Sequence, residues 1–208
     1  MAAVIEHSVH PVTDERPLEY THKDDALKIF GFWVFLATDM ILFACLFATF
    51  IVLRTHTNGG PTGAQLFDIP GFVAETFILL TSSFTGGLAT YEMRRGHLKG
   101  LVGWLIVTVI LGMSFVGLEI SEFIRYAAEG ATMQHSAFLS AFFTLVGTHG
   151  SHVSLGIIWM IGIIVQLLRK GITPVTARKV FIVGLYWHFL DVVWVFIFTV
   201  VYMTGVVR

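Results

Sequence analysis

Five long apolar runs, separated by short polar breaks, constrain this chain more than any other feature. They lie near Ile29–Leu53, Phe72–Tyr91, Leu101–Ile120, Ala137–Leu168 and Val180–Gly205. As helix, each is long enough to cross about 30 Å of hydrocarbon, with its backbone hydrogen bonds satisfied inside the segment. The breaks carry turn chemistry or charge: Asn58-Gly59-Gly60-Pro61, Arg94-Arg95-Gly96, Glu129-Gly130, and Arg169-Lys170-Gly171 with Pro174. The expected fold is therefore all-α, an integral membrane bundle of five transmembrane helices. The fourth run exceeds a simple span and is expected to tilt or project from the bilayer. No internal repeat is evident.

Composition agrees, because 55% of the 208 residues are hydrophobic and only 13% charged, well away from ordinary soluble domains. The single cysteine, Cys45, lies inside an apolar run, which excludes an intramolecular disulfide, a cysteine-based zinc site and an iron–sulfur cluster. A formal net charge of -1 suggests no nucleic-acid partner. The chain divides into a polar N-terminal tail, residues 1–28, and a five-helix membrane domain, residues 29–208. The tail lacks the apolar core of a cleavable signal.

Lysine and arginine are distributed unevenly. The tail holds three, the 92–100 link three and the 169–179 link four, whereas the two opposite links hold only Arg54 and Arg125. Basic residues concentrate on the cytoplasmic side, so the N-terminus is expected in the cytoplasm and Arg208 outside.

Ionisable groups inside hydrocarbon are costly, by about 2.5–3.5 kcal/mol on insertion scales, and so mark function or a specific partner. Asp39 falls about ten residues into the first run, roughly 15 Å deep. It is a proton-handling candidate if a histidine or a water chain lies beside it. A neutral, hydrogen-bonded structural aspartate is the other reading. His149 and His152 in the fourth run, and His188 and Asp191 in the fifth, are each three residues apart and so share a helix face. Imidazoles and a carboxylate on facing helices are the donor types of a zinc, iron or copper site. The same groups would also serve as a buried polar network between helices that Gly147, Gly150, Ser151 and Gly156 allow to pack closely.

Glu75, Glu119 and Glu122 sit toward the opposite ends of their runs, with Arg125 one turn from Glu122. At such positions carboxylates are expected to be solvated or paired. The tryptophans Trp33, Trp104, Trp159, Trp187 and Trp194 are expected to pack against lipid or neighbouring helices. No Walker loop, dinucleotide-binding glycine pattern or nucleophile elbow is present, which argues against nucleotide-driven chemistry.

Five stretches in order carry a family resemblance: KIFGFWVFLATDMILFACLFATF, GGPTGAQLFDIPGFVAETF, FVGLEISEF, SAFLSAFFTLVGTHGSHVSLGIIWM and YWHFLDVVWVFIFTVVYMTG. Over nearly all of residues 28–206 the chain resembles subunit III of the haem-copper respiratory oxidases, most of all the cytochrome bo-type ubiquinol oxidase version. The resemblance implies a helical bundle with a V-shaped cleft that holds phospholipid. It implies docking beside a catalytic subunit I that carries the haems and copper, with subunit II and a small subunit IV as further partners. Subunit III itself would hold no cofactor, no metal and no catalytic residue. In the cytochrome c oxidase branch a glutamate stands where this chain has Asp39 and is proposed to assist proton uptake. Five spans rather than seven also match the quinol branch.

The implied role is an accessory subunit of a proton-pumping ubiquinol oxidase in the bacterial inner membrane. Because their depths agree along the spans, Asp39, His149, His188 and Asp191 are expected to form or border one buried polar cluster near the midplane. Two alternatives stand beside it: a free-standing transporter or metal-dependent membrane enzyme, and a purely structural subunit whose polar residues lock helices together.

Overall fold

The computed structural model describes residues 17–20 and 24–206, and all regular structure among them is helical. Five helices are long and apolar enough to cross a membrane: α1 (Asp25–Leu53), α2 (Ile69–Arg94), α3 (Leu98–Ala128), α4 (Ala137–Lys170) and α5 (Pro174–Val206). These are the five runs of the sequence, extended into their polar flanks. The extension is clearest in α3, which continues past Ile120 to Ala128. Glu119 and Glu122 do not end it because both are buried against neighbouring helices rather than turned to water.

Local chemistry explains the ends. The Ser136 hydroxyl accepts from Leu139 N–H to start α4. Thr173 and Thr176 cap α5 reciprocally, each side chain accepting from the other's backbone N–H at 3.2 and 2.8 Å, with Pro174 as the first helical residue. Gly96, Gly130 and Gly171 follow α2, α3 and α4 with φ of 75°, 80° and 68°, a region that costs glycine nothing and other residues about 1 kcal/mol or more. Within the helices, hydroxyls such as Thr49, Thr81, Ser114 and Thr199 bond the carbonyl one turn back. This lets polar residues face hydrocarbon without a partner helix.

Helices α2, α3, α4 and α5 close a ring, each packed on the next and α5 packed back on α2, while α1 lies outside against α4 and α5. Lipid is as apolar as leucine, so close packing and interhelical hydrogen bonds hold such a ring together. Glycine provides the approach. A Cβ on Gly112 would come within 2.8 Å of the Trp187 ring, and one on Gly156 within 3.1 Å of Tyr186. Of the tryptophans, Trp187 and Trp194 are buried and donate their indole N–H to Ser82 and Thr76 of α2, each at 3.0 Å. Trp33 is exposed.

Of the expected polar tail, residues 1–16 and 21–23 lie outside the described residues. Leu18–Tyr20 forms a single 3₁₀ turn packed on the bundle. Glu19 is fully buried and accepts from Arg94 at the end of α2, through Nε at 3.2 Å and Nη2 at 2.8 Å. The Tyr20 ring meets Phe181 of α5 edge-on. Asp25 at the start of α1 accepts from Arg178 at the start of α5. Glu19 and Tyr20 are thus held against the end of α2 and the start of α5. At the opposite end the 54–62 loop docks on the start of α4, where Phe138 N–H donates to His56 C=O at 3.2 Å.

Candidate functional site

Two polar sites lie inside the bundle, at different places. The first joins α1 to α4. Asp39, 8% exposed, faces His152, with Oδ2 3.6 Å from Nε2. That is ion-pair range and just too long for a hydrogen bond. The other ring nitrogen, Nδ1, lies 2.7 Å from the Thr148 carbonyl. A carbonyl has no proton to give, so this contact assigns the Nδ1 proton. Nε2 then carries a proton only in the imidazolium. Asp39 Oδ2 and His152 Nε2 are then the two facing atoms that can accept a proton. The Tyr186 hydroxyl of α5 closes the site by donating to the His152 carbonyl at 3.1 Å.

His149, one turn before His152, points into the bundle with no exposed surface. Phe43 of α1, Phe115 of α3 and Trp194 of α5 surround its ring, and neither ring nitrogen has a hydrogen-bond partner. Phe43 touches both histidines.

His188 and Asp191 do not join this group. His188 Nδ1 lies 2.6 Å from the Ser83 hydroxyl of α2, and its ring is exposed. Asp191 is 7% exposed beside the same serine, and both its oxygens lack a donor in hydrogen-bonding geometry. The expected single cluster of Asp39, His149, His188 and Asp191 is therefore corrected. Helical spacing identified the shared face of each pair, but α5 turns its His188–Asp191 face toward α2, whereas Asp39 lies on α1 against α4. Among the described residues no three His, Cys, Asp or Glu side chains converge as a metal site requires.

The second site corrects another expectation. Glu75, Glu119 and Glu122 are not solvated at an interface but are 3%, 3% and 7% exposed, between α2, α3 and α5. Glu122 accepts two hydroxyl bonds, from Tyr126 at 2.5 Å and from Tyr202 at 3.1 Å. Arg125 lies 3.9 Å from both Glu122 and Asp68, at the mouth of the site. The Glu119 carboxylate rests against the α4 backbone at Gly150, where any side chain would overlap it. A cleft of about 200 Å³ runs between α2 and α3, lined by Asp68, Glu75, Ser121, Glu122 and Arg125.

Tyr202 reaches this site because α5 passes through a π-helical stretch, Phe198–Met203. The wider turn brings Val201 and Tyr202 together to the interior, both without exposed surface. Sequence reasoning missed Tyr126 and Tyr202. The i, i+4 spacing of Glu122 and Tyr126 was a usable signal, but nothing in the apolar run Phe198-Thr199-Val200-Val201-Tyr202-Met203 marks a change of helical pitch.

The five-helix bundle, the Asp39–His152 pair and the tyrosine-bonded carboxylate coincide with a sequence match over residues 13–206 to the family described as cytochrome c oxidase subunit III. The chain belongs to the cytochrome c oxidase subunit III family. Within it, the chain is similar to quinol oxidase subunit 3 of Bacillus subtilis (strain 168), 53% identical over 201 residues, which cover 97% of this chain and 98% of the relative. It is 49% identical over 180 residues to cytochrome c oxidase subunit 3 of Bacillus sp. (strain PS3), covering 86% of this chain and 87% of that one. It is 46% identical over 187 residues to cytochrome bo(3) ubiquinol oxidase subunit 3 of Pseudomonas aeruginosa, covering 90% of each.

Proposed function

We propose that this chain is the accessory subunit III of a proton-pumping, haem-copper quinol oxidase, and that it carries no redox centre or catalytic residue of its own. The observation that carries this reading is the near full-length similarity, at 53% identity, to a protein named quinol oxidase subunit 3. Ubiquinol as the substrate follows the resemblance in the sequence and the name of the Pseudomonas relative. The haems and copper belong to a catalytic subunit I, and subunit II and a small subunit IV complete the complex in the bacterial inner membrane.

The N-terminus lies in the cytoplasm and residues 29–208 form the membrane domain. Support for that orientation comes from the basic breaks, since Arg94 and Arg178 gather at the same end as Glu19 and Asp25. Phospholipid occupies a cleft beside α1. An apolar groove of about 180 Å³ between α1 and α5, bordered by Met40, Phe47, Val192 and Phe196, is suited to an acyl chain.

Within this role Asp39 handles a proton with His152 as its partner, His149 is buried one turn away, and Asp191 is buried on the α2 side beside the exposed His188. The facing of Asp39 Oδ2 and His152 Nε2 at 3.6 Å supports the first assignment: a proton that reaches an ionised Asp39 beside neutral His152 can reside on either atom and leaves the pair without net charge. Glu75, Glu119 and Glu122 stand apart from it.

The test is affinity capture of the tagged chain from native membranes in mild detergent. A haem-absorbing assembly containing the tagged chain in stoichiometric amount is the expected result. A chain that purifies alone and colourless, from membranes that retain oxidase activity, would overturn the reading.

A further inference from the structure

The carboxylates at the end of the bundle opposite the N-terminus have no part in the role proposed above. Three of them are buried within one site, contributed by α2 (Glu75) and α3 (Glu119 and Glu122), each less than a tenth exposed. Their surroundings are unequal. Glu122 has two hydroxyl donors, Tyr126 and Tyr202, and the Arg125 guanidinium at 3.9 Å. Glu75 and Glu119 each have a buried oxygen with no hydrogen-bond partner, although both are 97% buried. The remaining neighbours are Asp68 at the start of α2, paired with Arg125 at 3.9 Å, and the α4 backbone at Gly150, one residue from His149.

An ionised carboxylate in low dielectric costs several kcal/mol unless donors or a counter-charge compensate it. The donors and the guanidinium serve Glu122, while Glu75 and Glu119 each keep a buried oxygen without a partner, so the site compensates one negative charge and not three. The cleft of about 200 Å³ past Asp68 and Arg125 reaches Glu75 and Glu122 directly, and its polar lining and size admit several waters.

We propose that Glu75, Glu119 and Glu122 form a proton-storing site that exchanges with the aqueous phase at the Asp68–Arg125 end of the bundle. Glu122, bonded by both tyrosines, is the charged member. Glu75 and Glu119 are carboxylic acids. Release breaks one O–H bond and passes the proton to cleft water and then to bulk base, and uptake is the reverse; no electron moves. The site is separate from Asp39 and His152, and its occupancy is a property of this chain whatever assembly the chain belongs to.

Infrared difference spectroscopy tests this on the complex that the tagged chain brings with it, or on the chain alone should it purify so. The wild type is expected to show a carboxylic-acid carbonyl band that shifts down in deuterated buffer and disappears as the buffer is made alkaline. Glu75→Gln and Glu119→Gln, which keep side-chain shape and remove the acid, are each expected to lose part of that band. Ala74→Phe, which fills the cleft, is expected to slow the deuterium shift. A wild-type protein with no exchangeable acid band overturns the proposal without any variant. So does a band that is unchanged in both glutamine variants, or one that does not respond to pH. A deuterium shift as fast in Ala74→Phe as in the wild type overturns the cleft as the route.

Discussion

The Tyr202 hydroxyl donates to Glu122 Oε2 at 3.1 Å, and this bond ties the π-helical end of α5 to the last turns of α3. It rests on the change of helical pitch at Phe198–Met203. Tyr202→Phe keeps the ring, which stacks on Phe72 at 4.9 Å, and removes only the donor. Interhelical hydrogen bonds in membranes average about 0.6 kcal/mol and reach about 1.7 kcal/mol. A buried carboxylate acceptor places this one toward the upper value, so a loss of about 1–2 kcal/mol is expected, read as a lower unfolding temperature of the detergent-solubilised protein. An unchanged unfolding temperature would show that Glu122 is satisfied without Tyr202.

Gly150 is required by the carboxylate it faces, not by its backbone angles. A methyl group there overlaps both oxygens of Glu119, so Gly150→Ala must push α4 from α3 or displace the carboxylate. Overpacking of this kind costs about 1–3 kcal/mol. Glu119→Ala makes room, and the double variant is expected to recover much of the loss. Additive effects in that double-mutant cycle would mean that the two sites do not touch.

Asp39→Asn preserves shape but replaces the carboxylate facing His152 with an amide. Assembly is expected to continue, while inactivation under sustained turnover accelerates or proton uptake slows. His152→Gln is expected to act in the same direction, and the double variant to be little worse than either, since each breaks the same Asp39–His152 contact. Wild-type decay of activity in Asp39→Asn would leave the aspartate a structural role only.

At the other end, Arg178 is 13% exposed at the side chain and bonds Asp25, which has no exposed side-chain surface. Removing Arg178 weakens the compensation of that buried carboxylate. Arg178→Ala is expected to lower stability by several times more than Lys28→Ala, whose ammonium is 53% exposed and 4.0 Å from the same carboxylate. Equal effects in a thermal-shift comparison would contradict the packing of α1 on the start of α5.

The fold was legible because apolar length is a strong signal and its punctuation was explicit: Gly96, Gly130 and Gly171 end three of the helices that the runs predict. The polar sites were legible only by halves. Spacing placed His149 with His152, and His188 with Asp191, on shared faces, but a face does not name the helix it meets. His152 was weighed as a network member and proves to be the partner of Asp39, while His188 goes to Ser83. Glu75, Glu119 and Glu122 looked interfacial because they stand near the ends of their apolar runs. The helices carrying them continue, and the tyrosines that bury Glu122 come from one turn along α3 and from a π-helical stretch with no sequence mark.

Electron-donor preference of the captured complex is the most direct measurement of the proposed role, because subunit 3 proteins of both quinol and cytochrome c oxidases lie near 50% identity to this chain. Oxygen uptake driven by a soluble ubiquinol analogue, with haem present and reduced cytochrome c ineffective, is the predicted result. Oxygen uptake from reduced cytochrome c but not from quinol, or a captured chain with no oxidase activity at all, would contradict it.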